Sequence, residues 1–317
     1  MKFLITGGAG FVGSHVADGL LDAGHDVAVV DDLSSGDRAN VRDGAALHVV
    51  DIRDADALAA VFEQEQPDRV CHQAAQMSVS RSVREPVFDA QVNILGLLNV
   101  CELARTQGCD RVSFASTGGA LYGDVDVSNP AGEDHALLPI APYGITKKAG
   151  EDYLRFYAHQ YGLTCVALRY SNVYGPRQNP HGEAGVVAIF AKNLLAGKPV
   201  TVNGDGKYVR DYVHVHDVAA ANVAALTGEV PDGFSAYNVG TAVGTDVNEL
   251  AAAVVAGVKA AKPDADPPAP SHGPARDGDL RSSVVSPAKA KTVLGWEPKI
   301  AMTEGIGETV KWFASRA

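Results

Sequence analysis

The first thirteen residues, MKFLITGGAGFVG, restrict the fold of this 317-residue chain more than any other stretch. Apolar residues at positions 2–5 have the pattern of a short buried strand, glycines follow at once, and helical spacing begins after them. In such an arrangement Gly7 permits a tight turn, Gly10 lets backbone N–H groups approach a pyrophosphate, and Gly13 lets the helix lie close to the strand. The helix N-terminus then faces the phosphates, so the stretch predicts a dinucleotide site.

Acidic residues follow the next two strand-like runs. Asp31 ends the run VAVVD, where a carboxylate is placed for a ribose 2′-hydroxyl. Asp32 disfavours a 2′-phosphate and hence NADP, whereas Arg38 is the only nearby residue that argues for it. Asp51, followed by Ile52, closes the third strand and either meets the adenine end of the dinucleotide or caps the surface, two readings of equal weight.

Strand-like apolar runs alternate with helical patterns along the first half of the chain. The runs are Lys2–Ile5, Val27–Val30, Leu47–Val50, Arg69–His72, Val112–Ala115 and Thr164–Arg169. Such alternation predicts an α/β fold with a doubly wound parallel sheet of the Rossmann type. We expect residues 1–169 to form the nucleotide domain, with segments near 212–240 returning to it, and residues 170–317 to form mainly a smaller mixed α/β lobe for substrate.

The second half has shorter elements. The pattern predicts strands at Val200–Val202 and Tyr208–Val215, helices at Asp217–Leu226 and Val247–Ala260, and a last helix with Ile306, Val310 and Phe313 on one face. The proline-dense stretch from Lys262 to Leu280 is either a linker or a loop laid over a site.

Composition excludes several classes of partner. A net charge of −11 argues against nucleic acid, because phosphate binding needs a basic surface. No apolar run approaches the roughly 18 residues of a membrane span, and the N-terminus is too short for a signal-peptide core, so we expect a cytoplasmic location. The four cysteines, Cys71, Cys101, Cys109 and Cys165, are scattered and are expected to be reduced core thiols.

The second chemical signal is APYGITKKAGEDYL. Pro142 suits the first turn of a helix, and Tyr143 and Lys147, four residues apart, then share one face. An adjacent ammonium and a cationic nicotinamide would both favour the phenolate, so we expect Tyr143 to act as a base near neutral pH. The spacing alone is common by chance, but it follows a dinucleotide loop.

At this point the chain resembles the extended short-chain dehydrogenase/reductases and, within them, the UDP-sugar 4-epimerases. The resemblance covers essentially the whole chain and is carried, in order, by TGGAGFVG, VCHQAAQMSV, VNILGLLN, YGITK, RYSNVYGPRQ, GDGKYVRDYVHVHDV, YNVGT, RDGDL and LGWEP. It implies that Tyr143 takes the proton of the sugar 4-hydroxyl while hydride leaves C4 for a tightly held NAD. The 4-keto sugar would then rotate and be reduced on its other face.

The resemblance also assigns binding residues and no metal. On the cofactor it places Gly7, Gly10, Phe11, Val12, Gly13, Asp31, Asp32, Asp51, Ile52, Gln73, Ala74, Ala75, Asn93, Tyr143, Lys147 and Tyr170. On the UDP-sugar it places Ser78, Thr117, Asn172, Arg210, Arg276, Asp279 and Ser283. For Asn93 the alternative is a purely structural helix, and Ser283, as a small residue, would admit N-acetylated sugars.

One position departs from the pattern. Relatives carry a Ser or Thr where this chain has Gly118, so the hydroxyl at the reacting oxygen would come from Thr117, from Ser116 or from water. The related dehydratases carry an Asp-Glu pair in this segment, which elimination needs, and this chain has none. Epimerisation needs only one proton shuttle.

Other interpretations remain open at this stage. A UDP-uronate 4-epimerase, a reductase and a non-catalytic NAD-binding regulator share parts of the pattern. His214 and His216 could suggest a metal pair, but a structural role is favoured because no acidic or cysteine partner accompanies them at ligand spacing. The resemblance implies a homodimer formed through helices at 89–107 and 143–160.

Overall fold

The computed structural model of the chain describes residues 1–180, 185–275 and 280–316. Its strands are Lys2–Thr6 (β1), Asp26–Asp31 (β2), Ala45–Val49 (β3), Arg69–His72 (β4), Arg111–Thr117 (β5), Thr164–Tyr170 (β6), Asn172–Tyr174 (β7), Thr201–Asn203 (β8), Val209–His214 (β9), Phe234–Val239 (β10), Gly244–Asp246 (β11), Ser271–Gly273 (β12) and Ser282–Ser283 (β13). The α-helices are Phe11–Asp22 (α1), Ala55–Glu65 (α2), Val79–Arg84 (α3), Pro86–Ala90 (α4), Gly96–Thr106 (α5), Pro142–Tyr161 (α6), Val186–Leu195 (α7), Val215–Thr227 (α8), Val247–Ala261 (α9), Ala288–Leu294 (α10) and Met302–Ala314 (α11).

Seven strands form one parallel sheet in the order β10-β6-β5-β4-β1-β2-β3. Its central strands are buried on both faces, as the fully buried side chains of Phe3, Leu4 and Ile5 show. Strands covered by helices on both sides read as continuous apolar runs, which is why the sequence pattern located six of them. The doubly wound α/β fold is therefore confirmed.

The seventh strand, β10, lies beside β6 although 63 residues separate the end of one from the start of the other in the chain. The segment that returns it includes α8, which packs against α1. Both elements fall within the stretch expected to return to the first domain. The division of the chain near residue 169 remains a prediction.

The remaining strands form two smaller sheets, one in which β9 pairs with β7, β11 and β13, and one in which β8 pairs with β12. The core of this smaller lobe contains buried residues of α7, α9 and α11, among them Leu194, Val254 and Val310. The predicted apolar face of the last helix is confirmed, because Ile306 and Val310 are buried and Phe313 packs against the same core.

The proline-dense stretch is not a free linker. Its strand β12 pairs with β8, and β13, just beyond it, pairs with β9. Residues 276–279, which include Arg276 and Asp279, lie outside the described residues.

The structure bears on two expectations from composition, the reduced cysteines and the lack of a membrane span. All four cysteines are buried free thiols. The helical stretch Pro86–Thr106, in which a π-helical turn at Gln91–Leu95 joins α4 to α5, is long and apolar enough to cross a membrane by length and composition alone. Its inner residues Leu97, Val100 and Cys101 belong to the core of the nucleotide domain.

Candidate active site

A cavity of about 1500 Å³ opens at the carboxyl ends of the parallel strands and extends to the smaller lobe. Parallel α/β sheets bind ligands at this edge, because loops and helix N-termini converge there. Most predicted site residues within the described ranges line it. They are Gly7, Gly10, Phe11, Val12, Gly13, Asp31, Asp32, Asp51, Ile52, Gln73, Ala74, Ala75, Ser78, Thr117, Tyr143, Lys147, Tyr170, Asn172 and Arg210.

The glycine turn has the geometry expected for close approach of a pyrophosphate. Gly7 has a φ of +69°, and a Cβ there would lie 2.6 Å from the backbone nitrogen of Ala74. A Cβ on Gly13 would overlap the carbonyl oxygen of Gly7. The turn therefore leaves its backbone open at the start of α1, and these residues fit the diphosphate of a dinucleotide.

The carboxylates of the cofactor end differ in their surroundings. Asp31 accepts the backbone N–H groups of Ala9 at 3.0 Å and Leu33 at 2.9 Å, so it also braces the glycine turn. Burial raises its pKa, and these two hydrogen bonds oppose that shift. Asp51 is hydrogen-bonded by Arg53, which holds the pKa of that carboxyl below its usual range.

The structure bears on both interpretations of Asp51, a surface cap and a contact with the adenine end of the dinucleotide. The residue that caps α2 is Asp54, whose side chain accepts the N–H of Ala57. Asp51 lines the cavity together with Ile52. Because Asp51 also accepts the backbone N–H of Arg53 at 2.9 Å, the surface cap and the contact with adenine both stay predictions.

Tyr143 and Lys147 lie one turn apart on α6 and face the cavity. The Lys147 ammonium lies 5.9 Å from the centre of the Tyr143 ring and donates to the carbonyl of Ala115 at 2.8 Å. Burial lowers the pKa of Lys147 to about 8, with the Asp89 carboxylate acting against the shift. Lys147 can therefore exchange a proton near neutral pH.

Tyr143 differs from the sequence-based expectation. Burial raises the pKa of its phenol to about 12, the Asp89 carboxylate adds to this, and a side-chain hydrogen bond with Thr117 opposes it. The lowering of the Tyr143 pKa that we expected from Lys147 is not among these causes. The phenol is therefore held neutral by the protein alone, and a cation bound in the cavity would be needed to favour the phenolate.

The structure distinguishes the two side chains, Thr117 and Ser116, that could supply the hydroxyl at the reacting oxygen. Ser116 donates to the carboxylate of Glu151 at 2.7 Å, whereas Thr117 is hydrogen-bonded to Tyr143. A Cβ on Gly118 would lie 2.9 Å from Cγ1 of Val285, so a side chain there would require Val285 to shift. Thr117 is thus the hydroxyl that meets the phenol.

A buried ion pair behind these residues was missed by the sequence analysis. Arg169 of β6 donates to Glu151 of α6 through Nε at 2.9 Å and Nη2 at 2.7 Å. Because Glu151 also accepts from Ser116, the pair connects α6 to the end of β5, next to Thr117. The signal available in the sequence was Glu151, eight residues after Tyr143, on a helix whose outer face is polar.

The opposite wall comes from the smaller lobe. Asn172 opens β7 and Arg210 lies in β9, and both line the cavity. The apolar and aromatic residues of this wall, such as Phe190, Tyr208 and Leu280, were not singled out in the sequence. They lie on short elements whose periodicity is too brief to indicate which side faces a ligand.

Two predicted residues are not brought to the cavity. Asn93 is buried in a network with Gln76, Asp89 and Thr146, which is the structural alternative considered for it. Ser283 is buried in β13 opposite Arg210 and does not line the cavity, where Leu280 of the same segment does. The role of Ser283 at the sugar 2-substituent stays a prediction.

The histidine pair gains a partner that sequence spacing could not reveal. Glu308 of α11 places its carboxylate 3.8 Å from Nε2 of His214 and 3.6 Å from Nδ1 of His216. Nδ1 of His214 accepts the backbone N–H of His216, so the neutral ring carries its proton on Nε2. Nδ1 of His214 thus caps α8, and because the three side chains also lie close enough together to hold a metal ion, the structural role favoured for the pair stays a prediction.

Comparisons with known proteins agree with this geometry. The sequence model of the NAD dependent epimerase/dehydratase family matches residues 3–240. The chain is 44% identical to the UDP-glucose 4-epimerase of Mycolicibacterium smegmatis, with both chains covered completely. It is similar to the crystal structure of UDP-glucose 4-epimerase from Thermotoga maritima with UDP-glucose, with 46% identity, a TM-score of 0.93, and 100% of this chain and 99% of that chain covered. It is also similar to the Thermus thermophilus UDP-glucose 4-epimerase in complex with NAD, with 47% identity, a TM-score of 0.90, and 99% of each chain covered.

Proposed function

The chain belongs to the NAD dependent epimerase/dehydratase family, and on that basis we propose that it interconverts UDP-glucose and UDP-galactose at sugar C4 with NAD as its resident cofactor. The observation that carries the proposal is one cavity in which the Tyr143, Lys147 and Thr117 side chains meet a glycine turn suited to a dinucleotide. Full-length similarity to UDP-glucose 4-epimerases supports the choice of substrate.

The proton chemistry is assigned to residues of this chain. Tyr143 accepts the proton of the sugar 4-hydroxyl and later returns it, and Thr117 beside it lowers the pKa of the phenol. The Lys147 ammonium, 5.9 Å from the centre of the Tyr143 ring, supplies positive charge beside it. Bound NAD would supply an acceptor and then a donor for the hydride of C4, so that the net reaction would be redox-neutral.

Inversion requires that the nucleotide stay anchored while the 4-keto sugar turns. Arg210 on the wall of the smaller lobe is suited to the diphosphate, because a guanidinium binds phosphate oxygens in a bidentate manner. Arg276 on the diphosphate and Asp279 on the uridine ribose remain predictions from the resemblance. Ser78 and Asn172 line the cavity and are assigned to the sugar.

The segment after Thr117 argues against elimination chemistry. A Cβ on Gly119 would lie 3.6 Å from Oδ1 of Asn172 and 3.9 Å from Oγ1 of Thr117, so a side chain there would face the reacting groups. A dehydratase needs an acid in such a position. Glycine leaves the space to the turning sugar.

We also propose a cytoplasmic homodimer with no nucleic acid or membrane partner. Helices α4 and α6 pack together and carry exposed apolar side chains, namely Val87, Leu95 on the π-helical turn between α4 and α5, Ile145, Tyr153 and Phe156. Exposed apolar patches of this kind on soluble proteins mark contact surfaces. A second copy of the chain would cover these helices.

The proposal predicts that purified protein converts UDP-galactose to UDP-glucose without added cofactor. Sugar anomeric signals followed by NMR would report the conversion, and UDP-N-acetylgalactosamine supplied separately would measure the breadth of substrates. Tyr143→Phe should lose about 10²–10⁴-fold in kcat while it keeps NAD, because only proton transfer is removed.

Other outcomes would favour the alternatives. Conversion of UDP-glucuronate but not of UDP-galactose would indicate a uronate epimerase, and stoichiometric consumption of added NADH would indicate a reductase. NAD binding with no turnover of any nucleotide sugar would indicate a regulator.

A further inference from the structure

A fully buried carboxylate lies behind the reacting groups and has no part in the proposed mechanism. It is Asp89 of α4. Its Oδ1 accepts from Nε2 of Gln76 at 2.8 Å and from Nδ2 of Asn93 at 3.1 Å, and its Oδ2 accepts from Oγ1 of Thr146 at 2.9 Å. Burying a carboxylate among neutral donors is costly, so its retention calls for a reason beyond packing.

The hydrogen bonds of Asp89 join the segments that form the site. Thr146 lies between Tyr143 and Lys147 on α6, and its hydroxyl is also 3.0 Å from the carbonyl oxygen of Tyr143. Gln76 exchanges hydrogen bonds with Ser78, because its Nε2 donates to the Ser78 carbonyl and its Oε1 accepts the Ser78 N–H. One carboxylate thus connects the turn that carries Tyr143 to the loop that carries Ser78.

The charge of Asp89 also acts on the reacting pair. It raises the pKa of both Tyr143 and Lys147. The other titratable groups that face the pair are His72 of β4, which burial keeps neutral, and Tyr170 of β6. Asp89 is therefore the source of negative charge among these neighbours.

We propose that Asp89 is a positioning residue, which holds Tyr143 and Lys147 in register with the Ser78 loop and supplies the negative charge behind them. The inference rests on the proposed function, because it assigns Asp89 to the same reaction. It concerns a residue that touches neither predicted ligand.

Two substitutions separate position from charge. In Asp89→Asn the amide oxygen can still accept from Gln76 and Asn93, and the new NH₂ can donate to Thr146, whose own proton then points to the Tyr143 carbonyl. The geometry is kept and the charge is lost. In Asp89→Ala both are lost. Glu65→Gln is the matched control, since Glu65 is a buried carboxylate that accepts from Lys2 and His48 at the start of the sheet.

The readout is the pH profile of kcat for UDP-galactose in the NAD-loaded protein. Removing a negative charge lowers the pKa of both groups, because it favours the Tyr143 phenolate and disfavours the Lys147 ammonium. The acid and the alkaline limb of the profile should therefore both move to lower pH by about one unit in Asp89→Asn. Asp89→Ala should lose at least about tenfold in kcat, with a smaller change in KM, because the base is no longer oriented. Glu65→Gln should leave both limbs in place. Unmoved limbs in Asp89→Asn would contradict the proposal.

A second readout does not depend on turnover. The phenolate absorbance of Tyr143, taken as the difference between the parent protein and Tyr143→Phe, should titrate at lower pH in the Asp89→Asn background. If no nucleotide sugar is turned over, the proposed function fails, yet this titration still tests Asp89. An identical midpoint with and without the Asp89 charge would overturn the inference.

Discussion

At the residue scale, function depends on which hydroxyl reaches the phenol. Sequence alone left Thr117, Ser116 and water as candidates, because side-chain direction at a strand end is set by tertiary contacts. The structure directs Ser116 to Glu151 and Thr117 to Tyr143. Gly118 also lies close to Val285, a residue 167 positions away, and no local pattern could reveal that contact.

Substituting Thr117 tests this assignment. Thr117→Val removes the hydrogen bond that lowers the pKa of Tyr143, so the acid limb of the kcat profile should move to higher pH. The loss of one hydrogen bond should also reduce kcat by roughly tenfold. Thr117→Ser keeps the hydroxyl and serves as the control. A Val variant with the parental profile would show that another group meets the phenol.

At the scale of elements, the sequence predicted the helices and strands whose apolar residues recur with a clear period. Buried parallel strands and the amphipathic last helix were located within a few residues, since their patterns extend over several positions. β7, β11 and α7 were not predicted, because short strands and an almost wholly apolar helix lack a distinctive period. β10 has a strand pattern, but its place beside β6 depends on a long crossover.

The junction of β1 and α1 can be tested at the same scale. Gly13→Ala places a Cβ on the Gly7 carbonyl oxygen, and because both partners are backbone the turn must move. We expect the purified variant to lose most of its resident NAD, measured as nucleotide released on denaturation.

The control for that substitution is Gly307→Ala in α11. A Cβ there meets nothing within 4 Å, so NAD content should not change. Stability should stay equal or rise by about 0.5–1 kcal/mol, because alanine favours the helix. A Gly13→Ala protein that keeps its full NAD content would contradict the assigned role of the turn.

At the scale of the whole molecule, the cavity joins two kinds of surface. The edge of the large sheet supplies the glycine turn, Thr117 and the Tyr143 helix, and the smaller lobe supplies Asn172 and Arg210. The sequence predicted the residues on both sides, because each lies in a motif. It did not predict that Ser283 would be buried beneath the lobe or that Asn93 would belong to the Asp89 network, since both depend on packing between distant segments.

The central claim is that one hydrogen leaves sugar C4 and the same hydrogen returns to the opposite face. UDP-galactose labelled with deuterium at C4 tests it most directly, when incubated with the purified protein in ordinary water and analysed by NMR and mass spectrometry. The account predicts UDP-glucose that retains the deuterium at C4. Product that has lost the deuterium to solvent, or no product even with NAD supplied, would contradict it.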